Sequence, residues 1–167
     1  MRVFRGVGLL EQESAGNSSV SGRQYVENRL VGKALKFWES ARVGRELPSV
    51  ADLETGACPF GTDEMMVIAV GASEEEDRVI AAGHKVAAAL GHDPTGLLAL
   101  DALPSSTEMG LSFCRASVGL KKPMADVGRF FNRKGEEILY RSILLPLSAD
   151  GVNVDRVVSA FSYKVVH

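Results

Sequence analysis

The chain is short of the features that announce a chemistry or a compartment. Only two of its 167 residues are cysteine, Cys58 and Cys114, and their separation fits no metal-ligand or redox spacing. Two reduced thiols in a cytosolic protein are the expectation. No apolar run approaches the ~20 residues needed to cross a bilayer. Arg2 and Arg5 flank an N-terminal stretch, Gly6-Val7-Gly8-Leu9-Leu10, that is too short for a signal-peptide core and runs into acidic residues. A cytoplasmic protein without a membrane partner is expected. The net charge is −2, and no lysine or arginine cluster is long enough to track phosphates, so nucleic acid is not an expected partner. A Gly-x-Ser-x-Gly elbow, a P-loop and a His-Glu-x-x-His helix are all missing. Gly6-Val7-Gly8 has neither a preceding strand nor the third glycine of a dinucleotide fingerprint. The many carboxylates fall mostly in turn-like stretches, where pairing for acid–base work is not expected. A protein that is not an enzyme, holds no metal and points to no particular cofactor is the reading that these absences leave.

What the chain does have is enough apolar content, 46% of residues, for one domain with a sizeable core. Residues 1–20 carry the polar run Glu11-Gln12-Glu13-Ser14-Ala15-Gly16-Asn17-Ser18-Ser19 and read as a disordered tail. From Ser21 to Val43 the period becomes helical. Val26, Leu30, Ala34, Phe37 and Ala41 recur at three- and four-residue steps, with Val31, Leu35 and Trp38 widening the stripe. Gly44 and Pro48 end this segment, taken as residues 21–48. A connector with Gly56, Pro59 and Gly61 follows. Met65 to Val70 and Asp77 to Ala82 read as a strand pair around the wet turn Glu74-Glu75-Glu76. Gly83 to Leu90 reads as a short helix ended by Gly91, and His92-Asp93-Pro94-Thr95-Gly96 as a turn. Leu97 to Leu103 is ambiguous. A second helix, capped by Ser105 or Ser106 and ended by Gly119, has Met109, Phe113 and Val118 facing inward.

The most telling stretch is 123–167. Two long strands flank the turn Asn132-Arg133-Lys134-Gly135, where Gly135 supplies the positive φ of a tight hairpin. Ser148-Ala149-Asp150-Gly151 makes the next turn, and Val154 to Val166 the last strand. The middle strand does not alternate as a half-exposed strand should. Ile138, Tyr140, Ser142 and Leu144 share one face; Leu139, Arg141, Ile143 and Leu145 share the other. Two largely dry faces imply cover on both sides. The central helices supply one cover. The other is the N-terminal helix, acting as a cap within the chain or, with Leu30, Ala34, Phe37 and Trp38, as a homodimer interface. Arg141 is expected to be a buried guanidinium that pairs with a carboxylate or reaches an anionic ligand. Tyr140, Phe130 and Phe131 suit the core, although pockets are lined by such side chains. The element order gives an α+β domain with one antiparallel sheet, residues 63–167, and no appended output domain. Such a chain is expected to act through what it binds.

This order resembles a PAS domain. Ala87-Ala88-Ala89-Leu90-Gly91-His92-Asp93-Pro94-Thr95-Gly96 is similar to the small-residue helix and Gly-x-x-x-x-Gly turn of that family. The Arg-x-x-x-x-Pro-Leu strand from Arg141 to Leu147, with Trp38-Glu39-Ser40-Ala41-Arg42-Val43-Gly44-Arg45-Glu46-Leu47-Pro48 ahead of the sheet, resembles short stand-alone PAS-like proteins found mainly in alphaproteobacteria. The resemblance covers roughly residues 30–165. It implies a five-stranded sheet in the order 2-1-5-4-3, helices on one face, and a bacterial homodimer formed through the N-terminal helix. It also implies a sensory or regulatory role in signal transduction, through a small ligand or a signalling protein partner. Candidate ligand contacts are Arg141, Tyr140, Phe113 and His84. His84 and His92 stand where some PAS domains place a haem-ligating imidazole, and Cys114-Arg115 is a fragment of the Asn-Cys-Arg-Phe segment of flavin photosensors. The alternatives are an adaptor that acts only by protein–protein contact and, last, a small enzyme on a related α+β scaffold.

Overall fold

The computed structural model describes residues 8–9, 30–55, 58–103 and 108–167. Among the described residues there are six strands: β1 (Gly8–Leu9), β2 (Met65–Ala69), β3 (Arg78–Ala82), β4 (Met124–Phe131), β5 (Glu137–Leu147) and β6 (Arg156–Val165). Five α-helices accompany them: α1 (Leu30–Arg42), α2 (Val50–Thr55), α3 (His84–Leu90), α4 (Ala99–Ala102) and α5 (Glu108–Leu120). The sheet is antiparallel throughout, in the order β1-β4-β5-β6-β2-β3. Counted from Met65, its five main strands run 2-1-5-4-3, as expected. The added strand β1 lies in the stretch read as disordered: Gly8 and Leu9 pair with Ala125 and Met124. The rest of that stretch lies outside the described residues, as do the first turns of the helix expected from Ser21 and the caps at Ser105 and Ser106. Helix α5 runs through Gly119 to Leu120, and β6 begins at Arg156, two residues later than expected. The ambiguous segment becomes a bridge from Leu98 to Arg78 followed by α4.

Local chemistry sets several of these boundaries. Gly91 ends α3 in the left-handed region at φ 82°, where a side chain would strain. Gly83, just before α3, is a glycine for another reason. A Cβ there would fall 1.9 Å from the carbonyl oxygen of Thr62, so only a bare backbone lets this corner close, with the Gly83 N–H donating to Met65 O at 2.9 Å. Asn132 holds the β4–β5 turn. Its Oδ1 accepts from the Lys134 and Glu136 amides, and its Nδ2 donates to Ala89 O at 3.1 Å. One buried side chain thus closes the hairpin and ties it to the end of α3.

The sheet is covered on both sides, but unevenly. On the inner face Met66, Ile68, Val79, Phe130, Ile138, Tyr140, Leu144, Val157 and Phe161 pack beneath Val86, Ala89 and Leu90 of α3, Ala102 of α4 and Cys114 of α5. On the outer face Ala34 and Trp38 of α1, with Leu47 and Phe60, cover Ile143, Leu145, Leu147, Val158 and Ala160. Strand β5 records the difference. It alternates up to Arg141, which is exposed, and is buried at every position from Ser142 to Leu147. Its outer face is therefore dry along only half its length. Pro146 sits in that half, past the start of β4, where it has β6 on one side only. A proline without an N–H is tolerated on such an open edge, and its carbonyl accepts the Trp38 indole N–H at 2.8 Å. Within one chain, the helix expected to cap the sheet or to join two copies lies on the outer face. Ala34 and Trp38 are 0% and 2% exposed within one chain, and Leu30 packs at the margin of the same cluster. Phe37 is partly buried.

Candidate functional site between the sheet and the helices

The inner face carries polar groups where an apolar core would place none. Residues two apart on a strand share a face, so Met124, Asp126, Gly128 and Phe130 of β4 all point inward and all are buried. Asp126 stands opposite Ser142, Gly128 opposite Tyr140, and Phe130 opposite Ile138. The Tyr140 hydroxyl donates to Asp126 Oδ2 at 2.8 Å. Ser159 of β6 lies one row along, opposite Leu144 and Met66. Asp126, Ser142 and Ser159 are 4%, 6% and 2% exposed.

Aromatic rings flank this patch. Tyr140 lies 5.7 Å from Phe130 and stacks on Phe161 at 5.8 Å with 16° between planes, and Phe161 lies 6.0 Å from Tyr163. These separations are in the range where ring pairs attract. Three strands thus present a row of rings beside one carboxyl and two hydroxyls. Phe113 of α5 packs against the same inner cluster. Of the four expected ligand contacts, the structure brings together Tyr140 and Phe113. Arg141 is exposed on the opposite face of the sheet rather than buried, and pairs with no carboxylate among the described residues, because its neighbours on that face lie beyond the reach of the α1 cap. His84 is exposed at the first position of α3, since the apolar side of that short helix is formed by Val86, Ala89 and Leu90. The side chain of Met109 lies outside the described residues.

A second polar anchor frames the site. Asp77, 2% exposed, accepts from Arg115 Nε at 3.0 Å and from its Nη2. It also accepts the Gly71 amide at 2.8 Å, while Arg115 donates to Gly71 O at 3.1 Å. This clasp joins the β2–β3 turn to α5 with fork geometry. Arg115 is therefore engaged structurally, and the adjacent Cys114 is core: burial, then the nearby Asp77 carboxylate, pushes its thiol up to about 12. A thiol held protonated is a poor nucleophile. Sequence reasoning passed over Asp77, Asp126, Asn132 and Ser159. Asp126 did leave a signal, an acid in step with Met124 and Phe130 at period two.

No family model matches the chain, and no curated protein does. Solved structures do. An RNA-binding light-oxygen-voltage receptor superposes with a TM-score of 0.56 at 10% identity, over 96% of this chain and 38% of that one, so the chain spans well under half of that receptor. The light-state LOV domain of the blue-light photoreceptor Aureochrome1 gives 0.50 at 9% identity, covering 62% of this chain and 83% of that one. A point variant of RsLOV gives 0.50 at 12%, covering 77% and 68%. LOV domains are a branch of the PAS fold, and strand order, helical layer and these superpositions agree: the chain is a PAS-like α+β domain.

Proposed function

We propose that the protein is a sensory, non-enzymatic PAS-like module that binds a small molecule between the inner face of the sheet and α3–α5, and passes the change to a protein partner. The observation that carries this reading is the patch of Asp126, Tyr140 Oη, Ser142 and Ser159 on an otherwise apolar, aromatic-lined face. Such a mixture of apolar wall and a few convergent polar groups is what small-molecule sites use for affinity and orientation. A flat molecule with hydrogen-bond donors on one edge suits it, its plane against the rings and its donors toward the carboxyl and hydroxyls. Binding would act by favouring one of two arrangements of the helical layer. The light-receptor chemistry of the structural neighbours is not carried over, because the protonated, core-packed Cys114 offers no ready nucleophile.

The test is native and denaturing mass spectrometry of the purified protein, together with its absorption spectrum. A non-covalent mass excess that Ser142→Leu abolishes is expected. A single mass in both modes, with no small molecule in the denatured supernatant and no thermal shift from a metabolite library, would favour the adaptor reading. The continuous ring packing from Phe130 to Tyr163 would then be a core filled by its own side chains.

A further inference from the structure

The two edges of the sheet are finished differently. At the β3 edge, segment 96–98 runs alongside the strand. The Val79 N–H donates to Leu97 O at 2.9 Å, the Gly96 N–H donates to Val79 O at 2.7 Å, and Arg78 bridges to Leu98. At the other edge, β1 pairs only with Ala125 and Met124. No described residue pairs with β4 from Asp126 to Phe131 on the side away from β5. This stretch keeps a one-to-one register with β5, so no bulge spoils it as a template. Neither proline nor lysine stands in it. Such an edge offers a row of N–H and C=O groups to an extended segment.

We propose that residues 2–7, Arg2-Val3-Phe4-Arg5-Gly6-Val7, continue β1 along this edge and bring Arg5 to Asp126. Gly8 stands opposite Ala125 and Leu9 opposite Met124. Carried on in that antiparallel register, Val7 meets Asp126, Gly6 meets Val127, Arg5 meets Gly128, Phe4 meets Arg129, Val3 meets Phe130 and Arg2 meets Phe131. The period of two then sets Val3, Arg5 and Val7 on the inner face, with Phe130, Gly128 and Asp126. Gly128 has no side chain, so the position across from it has room for a long one. A residue two along the neighbouring strand is ~7–8 Å away, within the reach of an arginine. That residue is Asp126, which is buried and accepts the Tyr140 hydroxyl at 2.8 Å; a carboxylate has about four acceptor sites. On the outer face, Arg2 falls across from the Phe131 ring and Phe4 across from the Arg129 guanidinium, two pairings of cation with ring. An inward-pointing charge ordinarily turns a strand away from an edge. Asp126 admits one that carries a cation in the right row. A slip of one residue would set Phe4 or Gly6 opposite Gly128 and break these matches. The occupant is the chain's own segment, because Gly8 and Leu9 already tether it there. The pairing needs no ligand at the inner face, and it gives that site a cation beside its carboxyl.

The experiment is disulfide trapping in the full chain carrying Cys58→Ser, whose remaining native thiol, Cys114, is buried. Gly6→Cys with Val127→Cys sets two thiols directly opposite, at a Cα separation of about 4.5–5.5 Å that a disulfide spans. Under mild oxidation its intramolecular bond should form at least ~10-fold faster than that of Gly6→Cys with Arg129→Cys, two residues out of register and more than ~7 Å apart. Adding Arg5→Glu should slow the trapping about 10-fold, and adding Arg5→Lys should slow it far less. Circular dichroism shows that each variant is folded. Hydrogen exchange on the unmodified chain reads the same pairing without substitution: residues 3–7 should exchange at least ~10-fold more slowly than an unpaired segment. Equal trapping rates for the two cysteine pairs, bonds formed only between copies, or unprotected exchange over residues 3–7 would each overturn the strand. Trapping at full rate with Arg5→Glu would overturn the role of Arg5. None of these outcomes depends on a ligand at the inner face.

Discussion

The two faces of the sheet solve different problems with the same strands. Where α1 covers it, the outer face buries Ile143, Leu145, Leu147, Val158 and Ala160 under Ala34 and Trp38, with a hydrogen bond from the indole to Pro146. The inner face is also largely apolar but interrupts this with Asp126, Ser142 and Ser159. Burying a carboxyl or hydroxyl costs free energy unless a partner is found. A fold needs no such groups to close, as the capped half demonstrates. Under the proposed function, the difference separates a surface built for stability from one that takes a small molecule.

That separation can be broken by substitution. Trp38→Ala should cost the most, about 3–5 kcal/mol, because it empties the cap and leaves the Pro146 carbonyl without its donor. Urea unfolding measures it. A loss under ~1 kcal/mol would mean that α1 contributes little to the fold, and the contrast between the faces would fail. Tyr140→Phe keeps the ring against Phe161 and removes only the hydroxyl that serves Asp126. A smaller loss of about 1–3 kcal/mol is expected, accompanied by loss of any retained ligand. If Tyr140→Phe raised stability instead, the inner patch would be a strained site relieved by its removal, which would sharpen the contrast.

The sheet was legible because its signals are local. Gly135 and the Ser148–Gly151 turn fix two corners, and the apolar character of both faces from Ile138 to Leu145 announced a strand covered on both sides, which holds from Ser142 onward. Arg141 was misread because one strand changes character midway. Its first half is covered on one side and its second half on both, and the sequence carries no mark of how far along this strand a helix about 100 residues earlier will reach. His84 stands where the sequence places it, at the head of a seven-residue helix whose one apolar side is Val86, Ala89 and Leu90, so its imidazole is exposed. Phe113 and Tyr140 were placed correctly beside the inner cluster because large rings go to the core. The acids that matter, Asp77 and Asp126, sit among many surface carboxylates, and only register tells them apart: Asp126 is recognised by standing opposite Ser142.

The smallest effect expected concerns acids of the opposite kind, those in turns. Asp52 accepts the Ser49 amide at 2.7 Å and Arg45 at 2.6 Å, closing a capping box at the start of α2, and these bonds hold its carboxyl below the usual range. Asp150 accepts the Asn153 and Val152 amides at 2.8 Å each, and these bonds hold it lower still. A carboxyl whose pKa is depressed by folding stabilises the fold above its unfolded value, about 3.9, and that contribution fades as pH falls through the folded value. Asp52→Asn and Asp150→Asn should therefore lower the urea midpoint slightly at pH 7, with the gap to the parent closing as pH falls below about 4. Both groups are accessible to water, so screening keeps the gap modest. A gap that widened on acidification would reverse the sign of this linkage, and the two turns would have to be held by something other than their ionised carboxylates.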